Sequence, residues 1–181
     1  MSAAWPVSPF WDFSLEIYGR PGVEAACLAL QDEHHLDVNL VLLAAWLAAS
    51  GRRLPPSLAA RLRRLGEDYQ ARIMQPLREA RRALRVSAVD TDLDRLRAAC
   101  RQSLLRAELD LERFEQVQLE ILAEGAEHDP ASAPRLLLSA NLAALYPALD
   151  PDGAFPSDHL AVLAAQLADA APPVSPDKPS P

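Results

Sequence analysis

The sequence predicts an all-α protein with a single helical domain, and three observations support this prediction. An apolar stretch from Leu40 to Ala49 spans only about 15 Å as a helix, too short to cross a membrane, so we expect a buried central helix. Two long stretches carry apolar residues at intervals of three and four, as amphipathic helices do. No alternating strand pattern of useful length occurs in the sequence. We therefore expect six or seven helices.

The composition bounds the class of protein. The chain has 181 residues, half of them hydrophobic, which is typical of one domain with a sizeable core. Its N-terminus lacks the pattern of a secretory signal, and Cys27 and Cys100 lie within helical patterns, so we expect buried free cysteines and a cytoplasmic location. The expected organisation is a flexible N-terminus (1–9), a helical domain (10–168) and a disordered proline-rich tail (169–181).

Charge is distributed unevenly along the chain. Residues 1–51 carry one arginine against six acids, residues 52–106 carry fourteen arginines against six acids, and residues 107–181 carry three basic residues against thirteen acids. The basic middle either faces an anionic partner or pairs with the acidic segments.

The N-terminal third predicts two short helices before the central one. Ser8 followed by Pro9 is typical of a helix start, and this first helix presents aromatic residues on two faces, which indicates a helix wedged into the core. The second helix is expected over about Gly22 to His34, with Val23, Ala26, Cys27 and Leu30 facing inward.

The central helix, Val38 to Ser50, follows a polar loop. Asp37 is placed to cap it, and Asn39 lies one turn inside it. Because an unpaired buried amide costs roughly 1–3 kcal/mol, we expect Asn39 to have a definite hydrogen-bond partner.

Two long helices are expected to form an antiparallel hairpin. The first runs from Ser57 to Leu84 with a kink or restart at Pro76, and the second begins at Asp90 or Thr91. A turn centred near Ala88 would place Arg64 beside Glu112, Arg61 beside Glu115 and Arg82 beside Asp94. The apolar stripe of the second helix is Leu93, Leu96, Cys100, Leu104, Ala107, Leu111, Phe114, Gln118 and Ile121. Shorter helices are expected over Arg135 to Tyr146 and Ser157 to Ala168.

Polar residues around the start of the central helix form the candidate binding site. One interpretation is structural: Asp37 caps the helix while Gln31 and Asn39 tie down the loop. The other is a polar pocket at the buried helix N-terminus that binds a small molecule or an anion. The candidate ligand-binding residues are Gln31, Asp37, Asn39, Arg78 and Arg82.

The sequence gives little support for metal or catalytic chemistry. Asp32 and His35 have helical ligand spacing, but a di-iron bundle needs Glu-x-x-His pairs and the chain contains none. Neither a glycine-rich phosphate loop nor a G-x-S-x-G motif is present. We therefore expect no metal and no cofactor, and the sequence favours a non-enzymatic protein over an enzyme without deciding between them.

A basic helix face is formed by Arg78, Arg81, Arg82 and Arg85, at i, i+3, i+4 and i+7. Such a face could contact phosphates, but the chain is acidic overall and has a single lysine, Lys178. We therefore expect these arginines to be solvated or to pair with Glu108, Glu112 and Glu115.

Several motifs resemble a family of short bacterial proteins of unknown function. They are F-W-x-F-S-L-x-x-Y from Phe10, P-G-V-x-x-A-C-L-x-L-Q-D from Pro21 and D-V-N-L from Asp37. The resemblance extends to about Tyr146 and implies a bacterial cytosolic helical domain. It marks Gln31, Asp37, Asn39 and Arg78 as positions of the family pattern, and it supplies no activity or cofactor.

The expected function is a protein–protein interaction or regulatory module, since the long hairpin offers a face for another chain. One alternative is a small-molecule-binding protein or enzyme with its pocket at the start of the central helix. A second alternative is nucleic-acid or ribosome association through the arginine face. Convergence of Arg78 with Asp37 and Asn39 on one cavity would favour the pocket.

Overall fold

A computed structural model describes residues 4–85, 91–147 and 157–168. Within these residues the chain is all-α with seven helices, as predicted, plus a two-residue antiparallel pairing of Arg52–Arg53 with Glu127–His128. The helices are α1 (Pro9–Tyr18), α2 (Val23–Asp32), α3 (Val38–Ala49), α4 (56–83), α5 (Thr91–Leu122), α6 (Pro134–Leu145) and α7 (Ser157–Ala168). The predicted hairpin turn around Ala88, the first three residues and the proline-rich tail lie outside the described residues.

Helix α4 is continuous but not regular. It consists of an α-helical segment Pro56–Tyr69, a π-helical turn Gln70–Met74 and a second α-helical segment Gln75–Ala83. The interruption expected at Pro76 therefore takes the form of a π turn just before it. A proline cannot donate the backbone hydrogen bond of a regular helix, and a wider turn is one way to accommodate this loss.

The central helix is α3, and its prediction is confirmed. Every residue from Asn39 to Ala48 is buried, and the Asp37 carboxylate accepts the Asn39 backbone N–H at 2.9 Å, as an N-cap does. The central helix therefore begins at a polar cap and is apolar on all sides along the rest of its length.

The largest contact of α3 is with α6. Asn141 of α6 is fully buried, and its amide donates to the backbone carbonyls of Ala44 and Arg52 while it accepts the Leu54 N–H at 2.8 Å. This side chain holds the middle of α3 and the segment that follows the helix against α6. The central helix is therefore enclosed by α6 as well as by the N-terminal helices and the hairpin.

Helix α1 buries one face and not two. Phe10, Phe13 and Ile17 lie in the core, and Ser8 caps the helix by accepting the Trp11 N–H. Leu15 on the second face is exposed. The expectation of a helix surrounded by core is therefore wrong for that face, which turns toward the cleft described below.

Helix α5 faces the core with residues other than those of its apolar stripe. Leu96 is 63% exposed, and Phe114 and Ile121 are also exposed, whereas Glu115 is fully buried and Leu119 lies beside the core at 0% exposure. The apolar stripe that the sequence spacing defines is therefore not the packed face of α5. The buried amide of Asn39 needs hydrogen-bond partners, and α5 supplies them because Glu115 and Gln116 lie on its inward face.

The predicted pairing of Arg61 with Glu115 and of Arg64 with Glu112 is wrong. Arg61 and Arg64 are exposed, because Leu58, Leu62 and Gly66 form the inward face of the same segment of α4. The arginines that reach α5 come from the segment beyond the π turn: Arg78 pairs with Glu112 at 3.2 Å and Arg81 pairs with Glu108 at 2.5 Å. Asp94 lies 3.0 Å from Arg97.

The two cysteines have different environments. Cys27 is buried in α2 as predicted, and burial raises the pKa of its thiol to about 11. Cys100 is exposed on α5, which corrects the expectation of a buried residue.

In the described part of the chain, none of the helices combines the length and the apolar character that a membrane-spanning helix needs.

A matched pair of substitutions in α5 tests which of its faces is packed. Leu119→Ala should lower the free energy of unfolding by about 2–5 kcal/mol because it leaves a cavity in the core. Leu96→Ala should change it by less than about 0.5 kcal/mol, because this side chain is mostly exposed. Urea unfolding followed by circular dichroism measures both changes in free energy. A larger loss for Leu96→Ala than for Leu119→Ala would show that the opposite face of α5 is packed.

Candidate functional site

The five candidate residues, Gln31, Asp37, Asn39, Arg78 and Arg82, all line one cleft with a volume of about 1310 Å³. They come from the end of α2, the start of α3 and the second segment of α4, with α1 and α5 closing the sides. Arg82 is exposed, so the cleft opens to solvent. The structure thus brings together residues separated by up to fifty-one positions in the sequence.

The inner end of the cleft is a buried hydrogen-bond network centred on Asn39. Its amide donates to Glu115 Oε2 at 2.7 Å, and its carbonyl oxygen accepts from Gln116 Nε2 at 2.8 Å. Gln70 Nε2 also donates to Glu115 Oε2, at 3.3 Å. The expectation that Asn39 has definite partners is confirmed, and both of its side-chain partners belong to α5.

Three atoms of this network have no hydrogen-bond partner among the described residues. They are Asp37 Oδ2, Glu115 Oε1 and Gln116 Oε1, and each is buried. Asp37 Oδ2 and Gln116 Oε1 are acceptors, whereas Glu115 Oε1 is the oxygen that carries the proton when this carboxyl group is protonated. A buried acceptor without a donor costs roughly 1–3 kcal/mol, so this end of the cleft is short of hydrogen-bond donors.

Burial also shifts the acid–base properties of the carboxyl groups. Burial, followed by the charge of Asp37, raises the pKa of Glu115 to about 8. Burial likewise raises the pKa of Asp37, although the Asn39 and Leu40 backbone N–H groups and the Arg78 charge act in the opposite direction. At neutral pH Glu115 is therefore mostly protonated, and the two carboxyl groups together carry less negative charge than their number suggests.

The π turn of α4 places two groups of the network. Gln70, its first residue, contacts Glu115 and also accepts a hydrogen bond from Arg78 at 3.3 Å. Arg78 lies beyond the turn and donates to Glu112 at 3.2 Å. Gln70, at the start of the turn, and Arg78, after it, therefore contact each other at the same end of the cleft.

Gly66 allows α4 to pass close to the Asp37 carboxylate. A Cβ atom at this position would lie 2.9 Å from Asp37 Oδ2 and 3.1 Å from Leu40 Cδ1. A side chain at position 66 would displace the Asp37 carboxylate and the Leu40 side chain, so the glycine permits this close approach.

Tyr146, just after α6, fixes the backbone of the capping residue. Its hydroxyl accepts the Asp37 N–H at 3.2 Å and donates to the Asp37 carbonyl at 3.3 Å. Tyr146 thus holds the backbone of Asp37, and the Asn39 N–H holds its carboxylate.

Sequence reasoning missed Gln70, Gln116 and Tyr146, and it assigned Glu115 to the wrong partner. Glu108, Glu112 and Glu115 share one helix face in the sequence, but ion pairs with arginines of the preceding helix account for that pattern without a buried site. A glutamine directly after Glu115, opposite a helix start with a buried asparagine, was a usable indication of a polar face. Nothing in the sequence spacing indicated Tyr146.

Among the residues that the structure describes, one group of side chains outside the cleft could hold a metal ion. Glu33, His34 and His159 each bring one ligand atom to within 4.8 Å of the others. The sequence analysis considered Asp32 with His35 and did not consider His159, because that residue comes from α7. Mixed carboxylate and imidazole ligands are of the type that zinc accepts.

The raised pKa of Glu115 predicts how stability depends on pH. Between about pH 4.5 and about pH 8 the folded chain holds a proton that the unfolded chain releases, so the free energy of unfolding should fall as the pH rises through this window. Asp37 and Glu112 also have raised pKa values and contribute in the same direction.

Glu115→Gln imitates the protonated form and should flatten this decline, whereas Glu127→Gln, at an exposed glutamate, should leave it unchanged. Urea unfolding at intervals from about pH 5 to about pH 8 measures the slope. An identical slope in wild type and the Glu115→Gln variant would contradict the prediction.

Comparison with known proteins places the chain in a family without assigning an activity. The model of the family described as "Protein of unknown function (DUF2390)" matches residues 9–119, which is more than half of the chain and includes every candidate binding residue. Searches of curated proteins and of solved structures found no match. The chain therefore belongs to the DUF2390 family.

Proposed function

We propose that the protein binds a small molecule in the cleft at the start of α3. The observation that carries this proposal is the convergence of Arg78 with Asp37 and Asn39 on one solvent-open cleft. The buried acceptors without donors at its inner end add support, because a purely structural network would be expected to satisfy its own polar groups.

The cleft has the mixed character of a ligand site. The second face of α1 contributes Trp11, Leu15 and Tyr18 to its lining, while charged and amide groups of α4 and α5 line the opposite part. Ligand sites combine apolar walls with a few placed polar groups, and this arrangement accounts for the aromatic face of α1 that the core does not bury.

A substitution that fills the cleft tests the proposal. Ala71, in the π turn, is exposed and lines the cleft, so Ala71→Phe should obstruct it without disturbing the core. Ala60→Phe, on the exposed side of α4 and outside the cleft, is the matched control.

Each protein would be incubated with a mixture of cellular metabolites, and retained compounds would be identified by mass spectrometry after gel filtration. We expect wild type and the Ala60→Phe variant to retain the same compound and the Ala71→Phe variant to lose it. Retention of nothing, or of the same compounds by all three proteins, would contradict the proposal.

A second candidate function, a protein-interaction module, is favoured by a different observation. Leu96, Phe114 and Ile121 are exposed on one face of α5. Rows of exposed apolar side chains frequently mark contacts with other chains.

We expect that a Leu96→Ser/Phe114→Ser double variant loses proteins that wild type enriches from a lysate of the source cells, as measured by quantitative mass spectrometry. Equal enrichment by the two proteins would argue against this function.

Association with nucleic acid receives less support. Of the four arginines on the basic face of α4, Arg78 and Arg81 are already paired with carboxylates of α5. Only Arg82 and Arg85 remain exposed, too few for a phosphate-binding stripe.

A further inference from the structure

The chemistry of the cleft indicates which class of ligand it takes. At its inner end two buried acceptor oxygens of lining residues lack a partner, Asp37 Oδ2 and Gln116 Oε1, whereas Glu115 Oε1 is the oxygen left to carry the proton of that carboxyl group. The orientation of the Gln116 amide is fixed, because its Nε2 already donates to Asn39. A ligand that satisfies these oxygens must therefore supply N–H or O–H donors.

The charges that line the cleft favour a cation. Two of the three arginines in the lining already have carboxylate partners, since Arg63 pairs with Glu67 at 3.5 Å at the surface and Arg78 pairs with Glu112 at 3.2 Å. The lining residues outside these pairs are three acids and one arginine, namely Asp32, Asp37, Glu79 and Arg82. The excess is negative, which favours a positively charged ligand.

The helix N-terminus does not offset this preference. The first backbone N–H groups of α3 would attract an anion, but the Asp37 carboxylate already accepts one of them. A second anion would have to approach this carboxylate in a buried site, where repulsion between like charges is strong. The cleft is therefore poorly suited to an anion at its inner end.

We propose that the cleft binds a small organic cation, a primary ammonium or guanidinium group on an apolar body, with its N–H groups directed at Asp37 Oδ2 and Gln116 Oε1. Trp11, Leu15 and Tyr18 provide the apolar wall for the body of the ligand. This inference rests on the proposed function, since it names the ligand class of the same cleft.

Binding of a cation has a further consequence for protons. Glu115 is mostly protonated at neutral pH because burial raises its pKa to about 8. An ammonium group beside the Asp37 and Glu115 carboxyls favours their charged forms, so its arrival should displace a proton to the buffer. A merely structural network predicts no such ligand-linked proton release.

The experiment uses three matched sets of probes: the amines butylamine and phenethylamine, their neutral N-acetyl derivatives, and the carboxylates butanoate and 3-phenylpropanoate. Isothermal titration calorimetry at neutral pH, in two buffers with different ionisation enthalpies, gives affinity and proton release for each probe. The full chain is used throughout.

Asp37→Asn removes the charge and keeps the cap, because asparagine caps helices as well as aspartate does. Asp110→Asn makes the same change at an exposed site of α5 outside the cleft and is the matched control. We expect the amines alone to bind wild type, with release of a proton, and Asp37→Asn to weaken them on the order of tenfold or more. Asp110→Asn should leave their affinity unchanged, and circular dichroism verifies that both variants fold.

The other outcomes separate this inference from the proposed function. Binding of the acetylated or carboxylate probes in place of the amines, abolished by Ala71→Phe, overturns the cation while the cleft remains a ligand site. Absence of amine binding up to the solubility limit, or amine binding that Asp37→Asn does not weaken, also overturns the inference. Binding that Ala71→Phe leaves intact counts against both.

Discussion

The buried side chain of Asn39 is the constraint on which the arrangement of the helices depends. It lies in the first turn of a helix whose remaining residues are apolar, and an unpaired amide there would cost roughly 1–3 kcal/mol. Glu115 and Gln116 satisfy it from α5. To bring them inward, α5 must turn a polar face to the core.

This rotation explains the exposed apolar stripe of α5. Residues on opposite faces of a helix cannot both point inward, so burying Glu115 and Gln116 leaves Leu96, Phe114 and Ile121 at the surface. The same rotation places Glu108 and Glu112 where the arginines beyond the π turn of α4 can reach them. One buried amide thus determines both the apolar surface and the ion pairs of the hairpin.

The buried polar groups near the two ends of α3 differ in how completely they are paired. At its C-terminal end, Asn141 uses its amide to bind three backbone groups, and none of its polar atoms lacks a partner. At its N-terminal end, the network around Asn39 stops at acceptors without donors, beside an open cleft. The first arrangement is complete without any other molecule, whereas the second leaves hydrogen bonds that a ligand can form. This difference is why we place the binding site at the start of α3 and not at its end.

The sequence by itself determined the helical class, the extents of the helices within a few residues, the burial of α3 and the capping role of Asp37. These follow from local chemistry: apolar spacing, helix caps and chain breakers act within a few residues. It also selected Gln31, Asp37, Asn39, Arg78 and Arg82, which the structure assembles in one cleft.

Only the tertiary structure decided which face of α5 is buried, because leucine spacing describes a face without saying what opposes it. The π turn, the reach of Tyr146 to Asp37 and the pairing of Arg78 with Glu112 depend on how distant helices approach each other, and such contacts leave no periodic pattern in a single sequence.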